Sequence, residues 1–201
     1  MAQARSSSSS GRGDRGRARG FSLVEVLISM GLLTAVSIGI GQLFAISARV
    51  NLTARGLTST TAMAEQKMEQ LRSLTWGFAA DGTGLPLSDT TANLAVTPAT
   101  ATGSGLNPSP ANALNENVTG FCDFLDAGGN WVGTGTTAPT TAVYVRRWAI
   151  VPLPTNPNNT LVLQVLVTPL VNERLRGTTT GTRQKMPGDS LLVSVKTRKA
   201  P

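Results

Sequence analysis

The chain has 201 residues, a formal net charge of +7, one cysteine, no histidine and only 4% aromatic residues. Its length fits one domain of ordinary size plus N-terminal targeting segments, and so few aromatics predict a small core. With no His and only Cys122, an internal disulfide, the common zinc sites and His-based catalysis are excluded.

Residues 1–20 are polar, Ser-rich and basic. Arg5, Arg12, Arg15, Arg17 and Arg19 against Asp14 give this stretch +4 of the total. The high pI is therefore mostly a property of one short segment and weak evidence for nucleic-acid binding. It reads instead as a positive flank that stays on the cytoplasmic side of a membrane. The segment has no apolar periodicity and is predicted to be disordered. Its Arg12-Gly13-Asp14 tripeptide is a coincidence of Gly- and Arg-rich composition.

At Phe21 the composition changes abruptly. Val26 to Ala48 is a run of 23 residues without a charge, in which only Gln42 is strongly polar. As a helix it reaches about 35 Å, enough for a bilayer core of about 30 Å. Beyond it Val50, Ala54, Leu57, Thr61, Ala64, Met68 and Leu71 recur at alternating steps of four and three, which makes one stripe on a helix. Glu69 and Arg72 are spaced to support it. The helix is predicted to end near Trp76, before Gly77, Asp81-Gly82 and Pro86.

Residues 77–140 are rich in Thr, Ala, Gly, Asn and Pro. They read as a long variable loop, the least ordered part after residue 20, with a short strand or turn at Gly120–Leu125. Phe121, Phe124 and Trp131 are expected to pin it to the domain. Residues 141–201 read as strands at Ala142–Val151, Leu161–Thr168 and Ser190–Thr197, the last with Leu191, Val193 and Val195 on one face. The short connection through Pro154 and Pro157 favours an antiparallel hairpin. A sheet of three or four strands with one apolar face needs a cover, and the stripe from Val50 to Leu71 supplies it. The expected class is α+β.

The most informative stretch is Gly20-Phe21-Ser22-Leu23-Val24-Glu25, preceded by Arg19 and followed by the apolar run. A carboxylate at the start of a membrane span is a functional signal, because charge in the bilayer is costly. This stretch resembles the processing site of type IV prepilins and pseudopilins. The resemblance is strongest over residues 19–48 and weaker to Trp76. It implies a long N-terminal helix packed on a small antiparallel sheet. The leader 1–20 would be removed by a prepilin peptidase that cuts between Gly20 and Phe21, and the same enzyme would N-methylate Phe21. Residues 21–48 would form the transmembrane and filament-core half of the helix, and 49–76 its amphipathic half. Glu25 would pair with the N-terminal amine of a neighbouring subunit.

Chemistry agrees with those roles. Glycine has no Cβ to crowd a protease. A freed amine, with a reference pKa of about 7.7–8.0, is largely cationic at neutral pH. An unpaired charge in an apolar filament core is expensive, so a carboxylate there has a partner to find. Gly31, Gly39 and Gly41 lower helix propensity inside the span and allow close packing or local melting, or merely tolerate lipid. The implied partners are other pilin or pseudopilin subunits, the prepilin peptidase/methyltransferase, an inner-membrane assembly platform and membrane lipid. The implied location is a single-pass inner-membrane protein with its C-terminal domain on the periplasmic side, then a filament. No cofactor, metal or enzymatic activity is expected. The chain lacks the C-terminal cysteine pair of many major pilins, and no proline interrupts its span. Both departures favour a minor pilin or a pseudopilin.

Three other readings compete. A secretory signal would be cut near Ser47 or Ala48, but its apolar core would be too long and Glu25 would be unexplained. An anchored enzyme finds no phosphate loop, metal spacing or nucleophile elbow. Its one candidate, the pair Asp123 and Asp126, is better read as a polar loop turn, and Cys122 as a half-buried structural thiol. A DNA-binding competence subunit would need a basic patch. Arg146 and Arg147 alternate faces, and Arg174, Arg176, Arg183 and Lys185 fit a solvated loop.

Overall fold

The computed structural model describes residues 20–81, 83–176 and 184–198. The chain divides into two compact units, Met1–Ser47 and Ala48–Pro201. The leader residues 1–19 and Arg183 of the suggested basic patch lie outside the described residues.

In the first unit the described structure is the N-terminal part of helix α1 (Leu23–Ser73). Its best window has mean hydropathy 2.1 and no buried residue, so by length and composition it can cross a membrane. The hydroxyls within it are satisfied locally. Thr34 Oγ1 donates to the Met30 carbonyl at 2.7 Å and Ser37 Oγ to the Leu33 carbonyl at 2.7 Å. Such back-bonding lets a polar side chain sit in lipid without an orphan donor.

The second unit contains the rest of α1 and two sheets. Strands β1 (Trp76–Phe78) and β2 (Pro86–Ser88) form a small antiparallel hairpin. The main sheet has five strands: β3 (Cys122–Leu125), β4 (Trp131–Thr134), β5 (Tyr144–Pro152), β6 (Thr160–Pro169) and β7 (Ser190–Thr197). A short helix, α2 (Leu170–Arg176), follows β6. The strand order is β4-β3-β5-β6-β7, antiparallel throughout. The β5–β6 hairpin pairs Trp148 with Val165 and Ile150 with Leu163, as the short connection requires.

Helix and sheet meet through one face of each. Thr60, Met63, Ala64, Lys67, Met68 and Leu71 are the buried residues of α1, at alternating steps of three and one that mark a single stripe. Opposite them lie Leu161, Leu163, Val165 and Val167 of β6 with Trp148 and Ile150 of β5, all essentially inaccessible. Each such side chain contributes roughly 1.5–3 kcal/mol by leaving water. The cover is shorter than expected, since Val50 and Leu57 are exposed. The helix also ends at Ser73, and Trp76 opens β1 instead of closing α1.

Residues 77–140 differ most from a loose loop. They carry four strands, two of them in the main sheet, which therefore has five strands rather than three or four. The strand expected at Gly120–Leu125 is β3. Phe121 and Phe124 are buried, and Trp131 Nε1 donates to the Ala95 carbonyl at 2.9 Å. Leu94, Ala95, Leu106 and Ala113 join the core. The weakly apolar composition serves close backbone packing. A Cβ on Gly103 would lie 2.2 Å from Asn93 Cα, and Gly105 has φ +47 with its Cβ position 2.6 Å from the Asp89 carbonyl oxygen. Asp89 ties the same segment together by accepting from the Thr91 and Ala92 amides at 3.1 and 3.0 Å.

Strand β7 alternates as expected, but the other way round. Register with β6 pairs Ser190, Leu192, Ser194 and Lys196 with the core residues Val167, Val165, Leu163 and Leu161. Leu191, Val193 and Val195 therefore point away from the helix and are exposed. The polar residues are held by contacts that propensity does not display. Ser190 Oγ lies 3.1 Å from Thr61 Oγ1, and Lys196 Nζ donates to the Arg72 carbonyl.

Candidate functional site

Gly20, Phe21 and Ser22 precede α1 and are exposed. The first helical hydrogen bond runs from the Val26 amide to the Ser22 carbonyl, 3.1 Å. Ser22 is thus the helix cap and Glu25 the third helical residue, in the S-x-x-E spacing of a capping box. A carboxylate in the first turn also complements the positive end of the helix dipole. The residues on both sides of the Gly20–Phe21 bond are exposed, and only Phe21 and Ser22 separate that bond from the helix. Phe21, itself exposed, lines a shallow apolar groove with Val26, Ser29, Met30 and Leu33.

The second unit holds a site that sequence reading missed. Lys67, Asp123 and Arg146 are all buried, at 0, 0 and 2% exposure. Asp123 accepts from Arg146 Nε at 2.9 Å and Nη2 at 2.8 Å, a two-pronged pairing, and lies 2.9 Å from Lys67 Nζ. Lys67 Nζ also donates to the Leu94 carbonyl at 2.6 Å and sits 4.5 Å from the centre of the Trp148 ring. Arg146 Nη1 reaches the Met63 carbonyl and Gln66 Oε1, both at 3.1 Å. Burial is the main cause that pushes Lys67 down from 10.5 to about 8; Asp123 opposes it and Arg146 reinforces it. Two cations on one carboxylate join α1, β3 and β5 at the centre of the core. The only available sequence signal was Lys67 on the apolar stripe, four residues after Met63 and one before Met68.

This placement corrects two expectations. Asp123 is a buried partner of two cations and not part of a loop turn with Asp126. Asp126 does form a turn: its Oδ1 accepts from the Gly128 and Asn130 amides at 2.8 Å each, and the Asn130 side chain holds its pKa down. Arg146 and Arg147 do face opposite sides of β5, but both are buried. Arg147 donates to Asn117 Oδ1 at 2.9 Å and to Glu173 Oε2 at 3.0 Å. Arg176 is bound to Glu173 and Asp189. Of the described members of the suggested basic patch, Arg176 is thereby bound inside the domain, whereas Arg174 and Lys185 are exposed. Cys122 is buried, donates to the Gly135 carbonyl at 3.1 Å, and has its thiol pKa raised by burial, so it is a structural thiol. Among the described residues no group of three or more His, Cys, Asp or Glu is placed to hold a metal ion.

A long apolar helix that starts at a Gly-Phe-Ser-Leu-Val-Glu motif and continues onto an antiparallel sheet is an α+β fold of type IV pilin-like form. The chain carries the prokaryotic N-terminal methylation motif, whose family profile matches residues 15–41 and so spans the end of the leader, the motif and most of the apolar run. Comparison with curated proteins and with solved structures gave no match.

Proposed function

We propose that this pilin-type subunit is a minor pilin or pseudopilin with a structural, non-enzymatic role. It is cleaved between Gly20 and Phe21, N-methylated at Phe21 and assembled through its apolar helix into a filament. The observation that carries this reading is the methylation motif at residues 15–41, set at the start of a helix whose apolar window is wholly unburied. Such a surface needs lipid first and neighbouring subunits later. Glu25 then neutralises the Phe21 amine of an adjacent subunit in the filament core. The partners are other pilin-type subunits, the prepilin peptidase/methyltransferase and an inner-membrane assembly platform, with the second unit on the periplasmic side.

The test follows three pools: precursor, processed membrane protein and sheared filament. Intact mass should place the mature N-terminus at a methylated Phe21, and Gly20→Val should accumulate precursor. Glu25→Gln should insert and be cleaved normally but lose about tenfold or more of its filament fraction, since an ammonium would enter the core without its counter-charge. A mature chain that retains residues 1–20 refutes the processing step. Normal filament entry of Glu25→Gln refutes the pairing.

A further inference from the structure

Between α1 and the β3–β4 hairpin lies an open cleft of about 320 Å³, the small end of the size range of ligand sites. Its wall holds Gln66 and Gln70 from the helix, Thr97 from the β2–β3 connection, and Asn130 and Trp131 at the hairpin, with Arg146 at its base. We propose that this cleft binds one neutral, polyhydroxylated ring, a single sugar residue.

Charge bookkeeping excludes other ligand classes. Among the described residues Arg146 is the only cation lining the cleft, and Asp123, the Met63 carbonyl and Gln66 occupy its Nε, Nη1 and Nη2. An anion would therefore meet a buried guanidinium whose nitrogens all donate within the protein already. A cation would find no carboxylate in the wall. What remains free is uncharged and of mixed polarity. Gln66 spends its Oε1 on Arg146 and keeps its amide N–H groups. Asn130 spends its Nδ2 on Asp126 and keeps its Oδ1. The Gln70 amide and the Thr97 hydroxyl have no side-chain hydrogen bond among the described residues. Adjacent donors and acceptors of this kind match vicinal hydroxyls, each of which donates and accepts at once.

The indole supplies the other half of sugar recognition. Trp131 is half-buried, and its Nε1–H bond to Ala95 fixes the ring. A fixed aromatic plane offers an apolar surface to the C–H face of a sugar while the amides address its rim. The volume suits one ring, and the opening lets further residues of a glycan extend into solvent.

The experiment uses the processed full-length chain in lipid discs, because sugar-headed detergents would occupy the cleft. The probes are the methyl glycosides of glucose, galactose, mannose and N-acetylglucosamine, read by saturation-transfer NMR. Saturable transfer to at least one glycoside is expected. Gln70→Ala and Thr97→Val should each weaken it about fivefold, the value of one neutral hydrogen bond, and both surface substitutions leave the core intact. Trp131→Phe should weaken it further, with the fold checked by circular dichroism. A matching trisaccharide that binds no more tightly identifies a free monosaccharide as the source; tighter binding identifies a glycan chain. No transfer to any glycoside overturns the proposal. Transfer unaffected by Gln70→Ala and Thr97→Val, or transfer only to a blocked tripeptide control, also overturns it. None of these readouts depends on filament assembly.

Discussion

The two ends of α1 are built on one backbone and treat their side chains in opposite ways. In the first unit Leu32, Leu33, Leu43 and Phe44 are each more than 60% exposed. In the second, the inward stripe buries a lysine completely beside Met68 and Leu71. Hydropathy does not decide burial; the available partner does. Among the described residues of its unit the apolar half has no partner, and the proposed function supplies one. The amphipathic half meets a sheet that offers Asp123, the Leu94 carbonyl and the Trp148 ring, and these compensate an ammonium that water would otherwise hold.

The largest expected effect tests whether that compensation is needed. Asp123→Ala leaves Lys67 and Arg146 as two uncompensated buried cations, and should destabilise the second unit by about 3–5 kcal/mol. Urea denaturation of the processed chain in lipid discs, followed by Trp fluorescence, measures this. A loss below about 1 kcal/mol would mean that the three groups are wet and the contrast between the two regions is overstated.

Lys67→Met sharpens the same point. It keeps the balanced Asp123–Arg146 pair and removes one cation's desolvation, at the expense of the Leu94 bond. It should therefore cost about 1–2 kcal/mol, less than the Asp123→Ala effect. A greater loss from Lys67→Met than from Asp123→Ala would show that the lysine and not the carboxylate organises the site.

Alkaline pH separates the buried lysine from exposed ones. Lys67 releases its proton near pH 8 in the folded chain, while the unfolded chain holds it to about 10.5. Between those values the unfolded state binds more protons, so this group makes stability rise with pH. Below 8 both states are protonated, above 10.5 both are neutral, and neither side has a slope. The contribution is at most on the order of 3 kcal/mol across the window, and it should be absent from Lys67→Met. Parallel pH profiles of the two proteins would contradict the assignment.

The smallest effect lies on β7. Val193 is exposed, so Val193→Thr should change stability by less than about 0.5 kcal/mol. Leu163→Ala, on the facing core side of β6, should cost about 2–5 kcal/mol. Equal losses at the two positions would place Val193 in a core and reverse the register of the sheet.

Much of the molecule was legible in its residues because the signals are local. The uncharged run from Val26 to Ala48 can satisfy its backbone only as a helix in an apolar medium. The motif from Gly20 to Glu25 announces itself by its residues alone. The three C-terminal strands followed from β-rich runs broken at Pro152 and around Pro154 and Pro157. Tertiary structure decided the rest. The polar face of β7 turned inward because Ser190 and Lys196 found Thr61 and the Arg72 carbonyl across the interface, contacts more than 120 residues apart in sequence. The Thr- and Gly-rich middle became packed structure because small residues let backbone lie against backbone at Gly103 and Gly105, a use that hydropathy does not register. Lys67, Asp123 and Arg146 look like solvated charges in the sequence. Only the fold brings them within hydrogen-bond reach, where the Asp123 carboxylate offsets the cost of burying both cations.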